Sequence, residues 1–203
     1  MSQETLDIVK DIDWKDIEMQ IAFYCAPLIA GLKLSNLLML RNGDLDRATN
    51  LLKRAGISYF VVAVTNGKAA VLLFDRHRLE TYLWEEKVWQ IFRDMGYQDH
   101  AMGKILYAFR QRYEGYLLRN QEFPHEMGLL LGYPVEDVKG FIHNGGENCL
   151  YIGYWKVYEN LTEKMVLFRQ YEKARDMLMG LLSNGLTIVE VVQKRLLVQC
   201  LVG

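Results

Sequence analysis

The residue types best suited to chemistry are concentrated in the stretch 122–158. This stretch holds His125 next to Glu126, a second histidine at His143 and a cysteine at Cys149. A histidine beside a carboxylate suits proton transfer, and a histidine near a cysteine suits nucleophilic catalysis. Neighbouring residues on a helix do not face each other, so His125 and Glu126 are poorly placed to act as a pair. We interpret Glu126 as a helix cap and His125 as bonded to a nearby loop, with catalysis as the alternative.

The cysteines make a weak case for thiol chemistry. Cys25 lies near the C-terminal end of a predicted helix, where the helix dipole disfavours a thiolate, so we interpret it as a buried apolar residue. Cys149 follows a glycine-rich loop and is interpreted as a strand-edge cysteine, with an exposed thiol as the alternative. Together with Cys200 they form no disulfide framework, and reduced thiols are expected.

Metal ligation is not predicted. No histidine lies three or four positions from another histidine or from a cysteine, the spacing that places two ligands on one helix face. The segment HEMGLL also lacks the second histidine of a zinc-protease helix. The sequence identifies no cofactor and no catalytic residue.

A ligand-binding surface is the other chemistry that this stretch could support. The Asn-Gly-Gly loop after His143 ends a predicted helix instead of opening one, so a helix cap explains it better than a phosphate loop does. The neighbouring aromatic residues could line a pocket for a flat ligand, or they could pack as core. The predicted surface comprises His125, Glu126, Lys139, His143, Asn144, Cys149, Tyr154, Trp155 and Lys156.

Two short helices and one strand are expected to position that surface. Pro124 and Pro134 each suit a helix start, while Gly132 and the Asn-Gly-Gly loop suit helix ends. The segment CLYIGYWKVY is predicted as a single strand, with Tyr151 and Trp155 on one face.

The remaining elements favour an α+β fold. The dipeptide Asn66-Gly67 joins two β-rich runs and predicts a hairpin over 57–75 with a type I′ turn. Neither run alternates with polar residues, so both sheet faces should be covered by helices. Near the N-terminus, a helix capped by Asp13 or Asp16 is expected to break or kink at Pro27. We predict a small, mostly antiparallel sheet of about four strands covered by helices.

No linker or internal repeat divides the chain, so residues 1–185 are predicted to form one domain. The apolar extension 186–203 should dock on that core or on a partner subunit. It could form a helix capped by Thr187 with Val189, Val192 and Leu196 inward, or a strand.

Composition excludes several classes of partner. The formal charge of −1 supplies no field that would attract nucleic acid or an anionic membrane. No apolar run reaches the roughly 20 residues that a membrane span needs, and the acidic N-terminus does not resemble a signal peptide. We therefore expect a cytoplasmic protein that binds neither nucleic acid nor membranes.

Four segments carry a resemblance to a known family: FPHEMGLLLGYPVEDVKGFI, GYWKVY, YCAPLIAGLKLSNLLML and the predicted helix around Phe109 to Tyr113. They resemble an uncharacterised family of anaerobic Firmicutes, clostridia and their relatives, classified as a domain of unknown function. The resemblance extends to about Asn184, and the tail after Gly185 departs from it. Because the family has no established activity, the resemblance implies no catalytic residue and no cofactor.

Three functions remain open on the sequence. The favoured one is a non-catalytic or regulatory binding protein whose small-molecule or protein partner contacts the surface around 123–158. The second is an enzyme that pairs Cys25 or Cys149 with His125 or His143 in thiol or acyl chemistry. The third is a structural subunit that forms a homodimer through the apolar tail.

Overall fold

The computed structural model describes residues 16–65, 67–119 and 121–194. These residues form nine α-helices and five β-strands, which makes the chain an α+β protein as predicted. The helices are α1 (Ile17–Ile29), α2 (Leu45–Ala55), α3 (Arg76–Leu83), α4 (Glu86–Asp94), α5 (Met102–Leu117), α6 (Met127–Leu130), α7 (Val135–His143), α8 (Leu161–Ser183) and α9 (Ile188–Gln193). The strands are β1 (Ser35–Arg41), β2 (Ser58–Val64), β3 (Lys68–Phe74), β4 (Tyr151–Ile152) and β5 (Lys156–Val157).

The chain divides into two compact units. The first unit contains the described residues up to Asp75 together with those from Arg169 onward, and the second unit is Arg76–Phe168. Compact units within one chain do not by themselves define independently folding domains. The single domain over 1–185 therefore stays a prediction.

The first unit is built on a three-stranded antiparallel sheet in the order β1-β3-β2. The predicted hairpin is confirmed as β2 and β3, with Ser58 paired to Phe74 and Val64 to Ala69. Asn66 lies outside the described residues, so the turn type stays a prediction. All residues of β3 from Ala69 to Phe74 are buried, which confirms that both faces of the central strand are covered.

The core of the first unit joins one sheet face to four helices. Leu38 and Leu40 of β1 pack with apolar residues of α1, α2, α8 and α9. In α9, Thr187 forms a capping box with Glu190, so the described part of the tail is helical. Its buried residues are Ile188 and Val191. Val189 and Val192, which the sequence placed inward, are partly buried and pack against the same core. Leu196 lies outside the described residues.

Of the break or kink expected at Pro27, the break is wrong, because α1 continues to Ile29. Pro27 lies in the last turn, where the loss of one backbone N–H removes a single helical hydrogen bond. The Asp16 side chain accepts from the Glu18 N–H at 2.8 Å and caps the other end, as the sequence predicted.

Two further predictions in the second unit require correction. The helix expected from Pro124 begins only at Met127, because the residues from Pro124 to Glu126 form a turn. The single strand expected over 149–158 is a short hairpin, in which β4 pairs antiparallel with β5. Gly153 lies in the turn of that hairpin, so the chain reverses where the sequence predicted extension. By contrast, α7 follows Pro134 and ends at His143 with Asn144 as its C-cap, as expected.

Candidate ligand-binding site

A cleft of about 280 Å³ opens in the second unit between α6, α7 and the β4–β5 hairpin. We call it the aromatic cleft. Its polar lining side chains include His125, Asp137 and Lys156. Its apolar and aromatic lining is Phe123, Met127, Leu131, Tyr133, Val138, Phe141, Ile142 and Trp155, with Gly128 between them.

Asp137 fixes the two walls of the aromatic cleft to each other. It lies in the first turn of α7 and is 2% exposed. Its Oδ2 accepts from the indole N–H of Trp155 at 2.7 Å. Its Oδ1 accepts from the backbone N–H groups of Tyr158 at 2.7 Å and Glu159 at 3.2 Å. A carboxylate that accepts three hydrogen bonds in a buried position holds its neighbours in one arrangement.

Trp155 belongs to the hairpin wall of the cleft and is almost completely buried. Its ring stacks on Tyr133 at a centroid distance of 5.0 Å and meets the ring of Phe168 edge-on at 4.6 Å. Aromatic pairs in these geometries add stability beyond their buried area. These two ring contacts hold Trp155 in place within the hairpin wall.

Lys156 lies at the rim, where the glycine loop holds it. Its Nζ donates to the Gly146 carbonyl at 2.6 Å and lies 5.9 Å from the centroid of the Phe141 ring. Gly146 has φ +81°, and a Cβ there would lie 3.1 Å from the Phe141 ring. The second glycine of the Asn-Gly-Gly loop thus lets the loop approach both side chains.

His125 is the third polar residue of the cleft. Its ring lies 5.6 Å from that of Phe123 and 5.7 Å from that of Phe141. The Nδ1 atom is buried and has no hydrogen-bond partner among the described residues. The predicted bond from His125 to a neighbouring loop is therefore not formed through Nδ1.

Glu126 does not act as the helix cap that the sequence predicted. It occupies the N-cap position of α6 but makes no capping hydrogen bond. It is completely buried, and its Oε1 lies 3.0 Å from Nε of Arg112 and accepts from the Tyr97 hydroxyl at 2.8 Å. Burial, followed by the charge of Glu126, raises the pKa of Tyr97 far above its usual range. Arg112 and Glu126 line a neighbouring cleft together with His125.

The sequence profile of one family, described as a protein of unknown function (DUF3793), matches residues 21–192. The chain belongs to the DUF3793 family. All residues of the aromatic cleft lie inside the matched region. No curated protein and no solved structure matches the chain.

A second, shallower groove in this DUF3793 chain collects other predicted residues. Lys139, His143 and Asn144 line it, and both Lys139 and His143 are exposed. Asn144 follows α7 and donates its side-chain N–H to the Gly140 carbonyl at 2.8 Å. The predicted surface is therefore divided between two sites. His125, Trp155 and Lys156 line the aromatic cleft, whereas Lys139, His143 and Asn144 line the groove.

The remaining predicted residue positions are less engaged. Tyr154 is half-buried against Phe168 at 5.4 Å between ring centroids. Cys149 is a half-buried free thiol. Cys25 is a fully buried thiol, and burial raises its pKa to about 12, so it stays protonated at neutral pH.

Sequence reasoning missed Asp137, Arg112 and Tyr97 as parts of these sites. The position of Asp137 in the first turn of a predicted helix could be read from the sequence, because acids are favoured there. That position does not predict which groups donate hydrogen bonds to it. Arg112 and Tyr97 meet Glu126 only through the fold, so no local pattern could have found them.

Within the described residues, no helix is long and apolar enough to cross a membrane. In the same part of the chain, no three side chains of the metal-ligating types converge. The cytoplasmic location, the homodimer and the exclusion of nucleic acid stay predictions.

Proposed function

We propose that this protein is a non-catalytic ligand-binding protein and that its second unit is the binding module. The observation that carries the proposal is the aromatic cleft, whose walls are held together by Asp137. Binding sites for small molecules are concave and mostly apolar, with a few polar groups that orient the ligand. The aromatic cleft has this composition.

The size of the cleft favours a small, flat ligand. Its volume of about 280 Å³ lies just below the range of about 300–1,000 Å³ that is usual for ligand pockets. Phe141, Tyr133 and Trp155 offer ring surfaces on its walls. A molecule of one or two fused rings would therefore bury most of its surface there.

Preorganisation supports binding over simple core packing. The Asp137 hydrogen bonds and the stacked rings of Tyr133 and Trp155 fix the walls without a ligand. A site that needs no ordering on binding loses less free energy when the ligand enters. Phe123 and Ile142, by contrast, are 37% and 39% exposed at the lining, so the cleft is open to solvent.

The thiol-enzyme alternative receives less support. Cys25 is buried, and its raised pKa leaves almost no thiolate at neutral pH. Cys149 is the other thiol among the described residues, and it does not belong to the lining of the aromatic cleft. Asp137 has both oxygens engaged in hydrogen bonds and is poorly suited to act as a general base.

Saturation-transfer NMR with 2-naphthalenemethanol tests the binding proposal. We expect saturable binding to the full chain and its loss in Ile142→Trp, which fills the cleft opening. Ile152→Trp is the matched control, because Ile152 is 67% exposed and lies outside the lining. The proposal fails if the wild type shows no saturable binding, or if Ile142→Trp binds the probe as well as Ile152→Trp does.

A further inference from the structure

We infer that the ligand of the aromatic cleft is a small aromatic carboxylic acid, whose rings pack on the Phe141 wall and whose carboxylate binds the ammonium group of Lys156. This inference rests on the proposed binding function and adds the chemical class of the ligand. It follows from which polar groups of the cleft still have hydrogen-bonding capacity.

Asp137 has little capacity left for a ligand. Its two oxygens already accept from the Trp155 indole and from two backbone N–H groups. The side chain is also 2% exposed. A ligand that carried an ammonium group or several donors would find no open carboxylate in the lining, so a basic ligand does not fit.

Lys156 has the opposite character. An ammonium group has three N–H donors, and within the described residues its hydrogen bond goes to the Gly146 carbonyl. None of the ion pairs among the described residues involves Lys156, so no described carboxylate neutralises its charge. An anionic acceptor on the ligand would supply both the missing hydrogen bond and the missing charge.

The glycine loop places that charge next to an aromatic wall. The Gly146 carbonyl fixes Nζ at 2.6 Å, and the Phe141 ring lies below it at 5.9 Å. A ring packed along Phe141 would therefore carry its acid group to Lys156 at the rim. An inorganic anion alone would leave the apolar walls in water, so it fits the cleft less well.

His125 adds a second donor to the same lining. Its ring faces Phe123 and Phe141, and an imidazole can donate through a ring N–H. Lys156 and His125 thus offer the lining a cation and an imidazole. Both match an acceptor such as a carboxylate.

Isothermal titration calorimetry with 2-naphthoate and its neutral isostere 2-naphthamide tests the inference on the full chain. We expect the wild type to bind 2-naphthoate at least tenfold more tightly than 2-naphthamide, because only the acid pairs with Lys156. Lys156→Met should abolish this preference. Lys139→Met is the matched control, since Lys139 is exposed on α7 and lies outside the cleft lining; it should keep the preference.

The outcomes separate the inference from the proposed function. Equal affinity of the wild type for both probes, with binding still lost in Ile142→Trp, overturns the acid class and leaves the binding module intact. Binding of neither probe overturns both. If octanoate binds more tightly than 2-naphthoate, the aromatic part of the inference is wrong. The wild-type comparison needs no variant, so it decides the acid class even if Lys156→Met fails to fold.

Discussion

The indole N–H of Trp155 donates to the carboxylate of Asp137 at 2.7 Å, although the two residues are 18 positions apart. Asp137 lies on α7, and Trp155 lies in the turn of the β4–β5 hairpin. One hydrogen bond therefore connects the two elements that form the walls of the aromatic cleft. The backbone bonds from Tyr158 and Glu159 to the same carboxylate reinforce this connection.

Asp137→Ala should lower the free energy of unfolding by about 2–4 kcal/mol, because it leaves the buried Trp155 indole and two backbone donors without their acceptor. Urea denaturation followed by circular dichroism measures the change. Asp94→Ala is the control, since Asp94 accepts an exposed hydrogen bond from Gln90. Equal effects of the two substitutions would show that Asp137 does not fix the cleft.

Gly140→Ala should destabilise the protein by about 1–3 kcal/mol through overpacking. A Cβ at Gly140 would lie 2.5 Å from Cγ of Tyr158. Gly140 lies within α7, and the backbone N–H of Tyr158 donates to Asp137, so both backbones are fixed. Gly180→Ala is the matched control within a helix, because a Cβ there meets nothing within 4 Å. Alanine has the higher helix propensity, so this control should gain up to about 1 kcal/mol. Thermal unfolding measures the stability of both variants. A Gly140→Ala protein as stable as the wild type would contradict the close packing.

Arg112→Leu should lower the free energy of unfolding by about 3 kcal/mol, because it leaves the fully buried carboxylate of Glu126 without its cation. The double variant Arg112→Leu with Glu126→Gln should lose less stability than Arg112→Leu alone, since the neutral amide still accepts from the Tyr97 hydroxyl. A double-mutant cycle in urea measures the coupling. Arg110→Leu breaks a half-exposed pair with Glu114 and should change stability by less than about 1 kcal/mol. Additive losses at Arg112 and Glu126 would contradict the coupling.

The stability of the protein should depend on pH through Lys33, a lysine that is 7% exposed. Burial lowers the pKa of Lys33 from 10.5 to about 8. Between these values the unfolded chain binds more protons than the folded chain, so the free energy of unfolding rises with pH. Above pH 9 the effect is opposed by Cys25, whose pKa is raised from 9.0 to about 12.

The window from pH 8 to 9 therefore reports mainly on the lysine, because most Cys25 thiols of the unfolded chain are still protonated over most of it. We expect the free energy of unfolding to rise there by about 1 kcal/mol, as measured by urea denaturation at each pH. Lys33→Met should remove the rise. The exposed Lys53 on α2 provides the control, since Lys53→Met should retain it. A wild type whose stability is flat across this window would disprove the effect of Lys33.

The sequence by itself determined most of the local architecture. The β-rich runs around Asn66-Gly67 became β2 and β3, and Pro134 with the Asn-Gly-Gly loop bounded α7. Glycine and proline restrict or extend the backbone angles of their own position, and apolar periodicity reports which face is buried. Such signals are carried by neighbouring residues and can be read without the fold. The sequence also placed His125, Trp155 and Lys156 in one predicted surface, and the structure brings these three to one cleft.

Only the tertiary structure decided how those elements are joined. Glu126 meets Tyr97 across 29 positions and Asp137 meets Trp155 across 18, and no local pattern specifies either pair. The reversal at Gly153 was also missed, because β-branched and aromatic residues favour extended structure whether they form one strand or a short hairpin. Long-range partners are chosen by packing and by the need to satisfy buried polar groups. For that reason the sequence located the stretch that could bind a ligand, and the fold decided which of its side chains face the cleft.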